Sequence, residues 1–189
     1  MIKIEPYRAT WPGEFLLYGG ILRKELGDLA LRIDHIGSTS VPGLAAKDVI
    51  DIQVTVADFL PEVELAVCRA GYNRLDAITG DHLPPGAADR EHEWAKWFFL
   101  TPPGMRKVNL HIRQRGRANQ RYPLLFRDYL RAQPAAAEAY ARVKTALAHY
   151  HADDIDAYYA VKDPVCDLII EAAEIWAQDT AWQPGPTDI

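Results

Sequence analysis

Strict alternation of apolar and polar residues predicts the strongest strand of the chain over residues 49–56. The even-numbered positions from 50 to 56 are isoleucine or valine, and Asp51, Gln53 and Thr55 alternate with them. Because successive side chains of a strand point to opposite sides, these three polar residues share one face of the expected sheet. The apolar run over residues 31–36 predicts a strand immediately before this one.

A Pro-Pro-Gly turn at residues 102–104 separates two further predicted strands. Residues 93–100 are rich in aromatic residues, residues 107–113 alternate, and the turn between them favours an antiparallel hairpin. The segments 2–5 and 72–78 predict shorter strands, because their patterns are weaker.

Helical spacing of apolar residues, with capping residues or proline at several starts, predicts helices in the rest of the chain. They cover residues 11–26, 59–70, 119 onward, 134–151 and 155–177. Strands in the first part and helices in the last part predict an α+β protein. We expect a single domain over residues 1–177, with the sheet in residues 1–116, a helical part in residues 117–177 and a flexible tail at residues 178–189.

Size and composition are those of an ordinary globular protein. The chain has 189 residues, of which 49% are hydrophobic and 25% are charged. No apolar run reaches the roughly 18 residues of a transmembrane helix, and the N-terminus lacks a secretory signal pattern. We therefore expect a cytoplasmic protein without membrane contact, in which Cys68 and Cys166 are reduced, small core residues.

Charge is distributed unevenly along the chain. The net charge is −5, but residues 90–131 alone carry +7, between flanking segments that are both acidic. This basic block is either a set of solvated faces paired with the acidic C-terminal helices or a wall that faces a phosphate. The acidic overall balance argues against tight binding of nucleic acid, so a nucleotide or phosphorylated small molecule is the expected partner.

A turn of small residues, Gly37-Ser38-Thr39-Ser40, leaves the strand over residues 31–36. A turn of this kind leaves backbone N–H groups free, and these suit a phosphate group. An aspartate on the next strand, Asp51, could hold a metal ion beside that phosphate.

The spacing of Gly37, Ser38 and Asp51 resembles the signature of the nucleotidyltransferase superfamily. A longer string is more specific: residues 35–47 read His-Ile-Gly-Ser-Thr-Ser-Val-Pro-Gly-Leu-Ala-Ala-Lys, which resembles the GrpB family, also called UPF0157. Matching positions upstream and downstream extend the resemblance over residues 2–177, and include Trp11-Pro12, residues 124–131 and the pair Tyr158 and Lys162.

This resemblance implies a nucleotidyltransferase-like mixed β-sheet flanked by helices, with a C-terminal helical segment. It also implies transfer of a nucleotidyl group from a nucleoside triphosphate to a small molecule or protein, with divalent metals held by carboxylates. Asp51 matches the first acid, Gln53 stands in place of the second, and His111 lies on the strand expected to carry the third. We therefore expect a divalent metal, magnesium or manganese, at Asp51 and His111, and the imidazole also allows a transition metal.

The candidate catalytic residues are Asp51, His111 and Lys96. The residues expected to bind a nucleotide or phosphate are Gly37, Ser38, Thr39, Ser40, Lys47, Gln53, Arg113 and Lys162. Structural roles stay open for several of these residues. Gly37, Ser38 and Thr39 could form only the capped start of a helix. Asp51 could be ion-paired with a neighbouring base, His111 could be an ordinary hydrogen-bonded residue of the sheet, and Lys96 could be an edge lysine.

Three functions stay open at this point. The first is metal-dependent nucleotidyl transfer, and the second is a non-catalytic nucleotide-binding or phosphate-binding module with a degenerate metal site. The third is hydrolysis, or another phosphate chemistry, at a metal site that contains histidine. The sequence predicts no oligomeric state and does not decide whether the protein is an enzyme.

Overall fold

The computed structural model describes the backbone of residues 1–189 and all side chains except those of residues 88 and 89. Five strands form one sheet in the order β1-β2-β5-β4-β3. The strands are β1 (Arg32–Ile36), β2 (Ile50–Val56), β3 (Asn73–Arg74), β4 (Trp97–Leu100) and β5 (Val108–Gln114). The helices are α1 (Trp11–Leu26), α2 (Pro61–Arg69), α3 (Ala118–Ala132), α4 (Pro134–Tyr150) and α5 (Ile155–Asp179). A mixed sheet flanked by helices, with a C-terminal helical segment, confirms the predicted α+β class.

The register of the central strands determines where the polar side chains meet. Strands β1 and β2 are antiparallel and place Ile36 opposite Asp51. Strands β2 and β5 are parallel, so Asp51 lies beside Asn109 and Gln53 beside His111. Strand β4 pairs antiparallel with β5, which confirms the predicted hairpin. The turn that leaves β1 therefore lies next to the first residues of β2 and β5.

The two faces of the sheet are covered differently. Helices α1 and α2 pack on the apolar face, where the isoleucine and valine side chains of β2 are fully buried. Helix α3 crosses the polar face. The Gln53 amide donates a hydrogen bond to the Gln120 carbonyl (2.9 Å), and Arg127 donates one to the His35 carbonyl (3.0 Å). Helices α4 and α5 pack against α3 and against each other.

The first arm of the hairpin is shorter than the predicted strand over residues 93–100. Strand β4 begins only at Trp97, because two short 3-10 turns occupy Ala88–Trp94 and meet at Arg90. The Glu93 carboxylate accepts a hydrogen bond from the backbone N–H of Ala118 (3.1 Å), so this residue caps the start of α3 instead of extending a strand.

Two weak strands are also shorter than predicted. The segment 72–78 is reduced to the two residues of β3, and the segment 2–5 to a single bridge between Glu5 and Ala46. Prediction and structure agree closely for α1, β1, β2, α4 and α5, where the apolar pattern is longest.

The cysteines differ from the prediction of two core residues. Cys68 is exposed on α2, because the buried stripe of this short helix consists of Val63, Ala66 and Val67. Cys166 is half-buried, and both thiols are free. Within the described residues, no helix has the length and apolar character needed to cross a membrane.

The tail that was predicted to be flexible runs along the outer edge of β1. The Thr187 hydroxyl accepts a hydrogen bond from the Ile33 backbone N–H (2.9 Å) and lies 3.0 Å from the Ile33 carbonyl. The Asp188 carboxylate accepts from the His35 N–H (2.9 Å) and pairs with Arg127 (2.8 Å). These contacts cover backbone groups at the edge of the sheet.

Candidate functional site

A cavity of about 640 Å³ opens between the polar end of the sheet, the turn after β1 and the helical part. Its lining includes Gly37, Ser38, Thr39, Lys47, Asp51, Asp81, Lys96, Asn109, His111, Arg113, Asn119, Tyr122, Tyr140, Lys144, Tyr158, Lys162 and Cys166. The volume lies within the range that small-molecule ligands occupy in proteins. Most of the predicted site residues therefore meet in one place.

The turn after β1 depends on glycine at position 37. Gly37 has φ +70° and ψ −175°, a conformation that residues with a side chain rarely adopt. A Cβ at this position would also overlap the carboxylate of Asp51. Glycine thus lets the backbone of the turn lie directly against the acid on β2.

The three hydroxyl groups of the turn have different surroundings. Thr39 is buried, and its Oγ1 contacts His35 Nε2 (3.0 Å) and the Val49 carbonyl (3.2 Å). The Ser40 hydroxyl donates to the Gly37 carbonyl (2.6 Å), and this residue is absent from the cavity lining. The structure therefore does not bring Ser40, a predicted ligand contact, into the cavity lining. Ser38 presents its hydroxyl to the cavity.

Asp51 is held by two neighbours from β5. Its Oδ1 accepts a hydrogen bond from Asn109 Nδ2 (2.8 Å) and lies 3.8 Å from His111 Nε2. Burial raises the pKa of the Asp51 carboxyl, but His111 and Asn109 more than offset this, so its net pKa lies below the usual value. Asp51 is therefore ionised, without the ion pair to lysine or arginine that the sequence left open.

His111 lies between Asp51 and Arg113. Arg113 Nη2 lies 3.3 Å from His111 Nδ1, and a guanidinium only donates, so Nδ1 is the acceptor and Nε2 carries the proton. Burial lowers the pKa of His111 to about 4, and the adjacent Arg113 acts in the same direction. The imidazole is neutral at pH 7, and its N–H faces the Asp51 carboxylate.

Asp81 is the centre of the strongest ionic network in the cavity. Its carboxylate accepts two hydrogen bonds from Arg113 (2.8 and 2.9 Å), one from Lys96 Nζ (2.7 Å) and one from Asn119 (2.9 Å). Burial raises the pKa of this carboxyl, but Arg113 and Lys96 more than offset it and hold the pKa far below its usual range. Lys96 and Arg113, predicted to act in catalysis and phosphate binding, are thus neutralised by an acid from the loop before β4.

Gln53 has a structural role. Its side chain is fully buried, accepts a hydrogen bond from Arg113 Nη1 (2.8 Å) and donates to the Gln120 carbonyl (2.9 Å). It is absent from the cavity lining. Both ends of the Gln53 amide are instead used to fix Arg113 and α3.

Much of the basic block of residues 90–131 is paired within the fold. Arg117 pairs with Glu93, Arg121 with Glu174 on α5, and Arg127 with Asp128 and Asp188. Only Arg121 pairs with a C-terminal helix as that interpretation expected, whereas Arg117 and Arg127 pair with acids elsewhere in the fold. Lys96, Lys107 and Arg113 are the members of the block that line the cavity.

The donor atoms do not fit the metal centre that the resemblance implies. Two-metal catalysis needs several carboxylates in one place, and magnesium prefers oxygen ligands. Among the residues described, no group of three or more His, Cys, Asp or Glu side chains could hold a metal ion. The His111 nitrogen nearest to Asp51 carries a proton and has no lone pair to offer, and Asp81 is surrounded by cations.

Three further lysines line the cavity, and one of them contacts the Ser38 hydroxyl. Lys144 Nζ lies 2.8 Å from Ser38 Oγ and donates to the Ala45 carbonyl (2.6 Å). Lys47 donates to the Tyr159 hydroxyl (2.8 Å), and both Lys47 and Lys162 lie over the Tyr159 ring. Lys162 pairs with its neighbour Asp163, whereas the hydrogen-bond partners of Lys47 and Lys144 among the described side chains are neutral oxygens.

Lys144, like Asp81, is a residue of this site that the sequence analysis missed. It is 2% exposed and lies on the buried stripe of α4 with Tyr140 and Leu147. A lysine at an apolar position of an amphipathic helix was the available signal, because buried lysines need a specific reason. Burial lowers the pKa of Lys144 to about 7, and Lys162 and Lys47 add to this shift.

The cavity is positively charged although the whole chain is acidic. The charged lining residues are the cations Lys47, Lys96, Lys107, Arg113, Lys144 and Lys162 and the acids Asp51, Asp81 and Asp163. These six basic residues outnumber the three acids, and Lys144, whose pKa is about 7, is only partly protonated at pH 7. A concave site with this excess attracts anions.

Comparison with known proteins places this architecture in a family. The family model described as GrpB protein matches residues 1–172. A dephospho-CoA kinase of Mycolicibacterium paratuberculosis is 38% identical over 97% of this chain, which spans only 48% of that protein. A UPF0157 protein of Halalkalibacterium halodurans is 32% identical over 91% of this chain and 82% of its own length. The crystal structure of a conserved GrpB protein from Enterococcus faecalis matches with a TM-score of 0.75 and 31% identity, over 92% of this chain and 99% of that one. From the family model and these relatives together, the chain belongs to the GrpB family.

Proposed function

We propose that the cavity binds a nucleotide or another phosphorylated small molecule. The observation that carries this proposal is a pair of lysines, Lys47 and Lys144, that line the cavity and have neutral oxygens as hydrogen-bond partners in the described part of the chain. Burial holds the pKa of Lys144 at about 7, so this residue is only partly protonated at pH 7, and an anionic ligand beside it favours the charged form.

The local chemistry suits a phosphate group. The glycine turn brings backbone and the Ser38 hydroxyl to the same edge of the cavity as the lysines. Hydroxyl, backbone N–H and ammonium groups are the donors that proteins use for phosphate oxygens. Lys162, although paired with Asp163, lies at the same wall and adds a third ammonium group.

The aromatic part of the cavity lining suits an organic group. Trp94, Tyr122 and Phe126 belong to it, with Trp94 and Tyr122 in edge contact at 5.7 Å and Tyr122 stacked with Phe126 at 6.2 Å. Aromatic side chains of this kind stack on nucleobases without strong base preference. A nucleotide would thus place its phosphates at the lysines and its base at the aromatic part of the lining.

Metal-dependent nucleotidyl transfer is not part of this proposal. The transfer chemistry requires carboxylates at the positions that Gln53 and His111 occupy here, and these two side chains are used to hold Arg113. Binding through lysines, a hydroxyl and backbone groups needs no bound metal of the protein.

A thermal-shift screen tests the proposal. The full chain is heated with ATP, GTP, CTP, UTP, dephospho-CoA and inorganic phosphate, each with and without Mg²⁺. Dephospho-CoA is included because several relatives are named dephospho-CoA kinases. A ligand at about 100 times its Kd raises Tm by roughly 5–10 °C for a domain of this size.

The Lys47→Met variant should lose most of this shift, because it keeps the apolar stem but lacks the charge. Lys24→Met, on the exposed surface of α1, is the matched control and should keep it. The proposal is contradicted if no compound raises the Tm, or if the Tm shift of Lys47→Met equals that of the wild type.

A further inference from the structure

We propose that Ser38 is a nucleophile and that Lys144 is its general base, so that the cavity supports acyl transfer from an ester whose leaving alcohol carries an anionic group. This inference goes beyond ligand binding, and it does not depend on the ligand being a nucleotide. The pair is placed by two separate elements, the turn after β1 and the buried stripe of α4.

The distance and the surroundings of the two groups meet the requirements of a Ser–Lys pair. Lys144 Nζ lies 2.8 Å from Ser38 Oγ, within reach for proton transfer, and the Ala45 carbonyl holds the amine from another side (2.6 Å). A neutral amine can donate one N–H to Ala45 while its lone pair accepts the Ser38 proton. The side chain of Lys144 is almost fully enclosed, so its rotamer is fixed by packing.

The environment favours the neutral amine. The ionisable groups that face Lys144 from the neighbouring elements are Lys47, Asp51, Tyr140, Lys162 and Cys166. Burial lowers the pKa of Lys144 to about 7; Lys162 and Lys47 act in the same direction, whereas Cys166 and Asp51 raise the pKa. A substantial fraction of Lys144 is therefore unprotonated at pH 7–8, as a general base requires.

Ser38 differs from the neighbouring hydroxyl groups. Thr39 and Ser40 are buried, and their oxygens contact His35, the Val49 carbonyl and the Gly37 carbonyl. Ser38 is half-buried, lines the cavity and touches the one buried lysine of α4. It is therefore the hydroxyl of this turn that has both a base and access to a ligand.

The proposed reaction balances in two steps. Ser38 Oγ bonds to the carbonyl carbon of the ester while its proton moves to Lys144 Nζ; the ester C–O bond then breaks, and the leaving alkoxide takes that proton. Water next attacks the acyl carbon of the acyl-serine and gives one proton to Lys144. The bond between this carbon and Ser38 Oγ then breaks, the carboxylic acid leaves, and Ser38 Oγ takes the proton back from Lys144. The ammonium groups of Lys47 and Lys162 supply positive charge for the carbonyl oxygen that becomes negative.

A fluorophosphonate probe tests the pair directly, because it phosphonylates activated serines. The full chain is incubated with the probe from pH 5.5 to 9, and the labelled peptide is identified by mass spectrometry. We expect labelling at Ser38 that rises with pH with a midpoint near 7, set by Lys144. Ser38→Ala should abolish it.

Two variants of Lys144 test whether labelling needs a neutral amine at this position. Lys144→Arg keeps a positive charge, and Lys144→Met has none. Lys144→Met and Lys144→Arg should both slow labelling by roughly 100-fold or more, since neither supplies a neutral amine. Lys24→Met is the control and should label at the wild-type rate. Melting curves identify variants that do not fold. If a variant fails to fold, the pH profile of the wild type still tests the proposal.

Three results would overturn the proposal. They are a folded wild-type chain that stays unlabelled up to pH 9, labelling at Ser40 instead of Ser38, and a folded Lys144→Met variant that labels at the wild-type rate. These outcomes are separate from the nucleotide screen, because loss of nucleotide binding leaves the reactivity of Ser38 unchanged.

Discussion

Gly37 and Asp51 are so close that a Cβ on residue 37 would overlap the Asp51 carboxylate. The contact joins the turn after β1 to the first residues of β2, and it lies at the edge of the cavity. The positive φ of Gly37 adds a second reason for glycine at this position.

Substitution Gly37→Ala should therefore destabilise the protein in two ways. It introduces backbone strain and forces the turn away from Asp51, and we expect a loss of about 3 kcal/mol or more in the free energy of unfolding. Urea unfolding of the two proteins measures it. Gly43→Ala is the matched control, because Gly43 has φ +80° but no atom within 4 Å of the added Cβ, so it should cost only about 1 kcal/mol. Equal losses at the two sites would show that the contact with Asp51 is unimportant.

Asp81 should be one of the most sensitive positions in the chain. Asp81→Asn leaves Lys96 and Arg113, which are both buried, without their counter-ion. Removal of one partner from a buried ion pair costs about 3–5 kcal/mol. Chemical denaturation at pH 7 gives the value.

The matched control for that experiment is Asp76→Asn. Asp76 also pairs with an arginine, Arg74, but its side chain is 83% exposed. An exposed pair contributes less than about 1 kcal/mol. A loss at Asp81 no larger than that at Asp76 would contradict the description of Asp81 as the centre of the network.

Stability should fall on acidification because two buried histidines are neutral in the folded state. Burial lowers the pKa of both His111 and His35 to about 4, whereas an unfolded histidine titrates near 6.5. Between these values the unfolded chain binds more protons, so the free energy of unfolding rises with pH from about 4 to 6.5. Replacement of either histidine by glutamine should flatten this slope, measured by urea unfolding at several pH values. An unchanged slope in His111→Gln would show that its imidazole is not held neutral.

Lys144 should produce the same sign of effect at higher pH. Its pKa is about 7 in the folded protein and about 10.4 when unfolded, so the unfolded state binds more protons between these values. The free energy of unfolding contributed by this residue therefore rises from pH 7 to pH 10. The difference between wild type and Lys144→Met isolates it from other titrating groups. A difference that is constant with pH would contradict a neutral Lys144.

The docked C-terminal segment predicts that Asp188 stabilises the fold. Asp188→Ala removes one of the two carboxylates that pair with the buried Arg127 and the acceptor of the His35 backbone N–H, and should cost about 1–3 kcal/mol. Asp179→Ala, at the exposed end of α5, should change stability by less than about 0.5 kcal/mol. If both variants match the wild type, the segment contributes nothing to the fold.

Local pattern was sufficient for the elements that bury an apolar face. Strand β2 and helix α1 were predicted within a residue of their observed bounds, because alternation and helical spacing are direct consequences of one-sided burial. The start of β4 was wrong, because Glu93 caps α3, which lies far along the sequence, and that contact is invisible to a local pattern.

The site was predicted only in part, because some of its contacts also join segments that lie far apart in the sequence. Gly37, Ser38, Lys47, Asp51, His111 and Lys162 all line the cavity, as expected from the motif. Asp81 lies in a segment of glycine and proline residues without periodicity, so its role depends on where the loop folds back. Lys144 lies in an alanine-rich helix that approaches Ser38 only through the packing of α4.

The most direct test of the central claim is to locate an anion in the cavity. Crystals of the protein soaked in tungstate, an oxyanion similar in shape to phosphate with strong anomalous scattering, show where a phosphate group binds. We expect an anomalous peak in the cavity within hydrogen-bonding distance of Lys47, Lys144 or Ser38, and its loss in Lys47→Met. A peak confined to other surfaces, or an empty cavity at saturating tungstate, would contradict the assignment of this cavity as a phosphate-binding site.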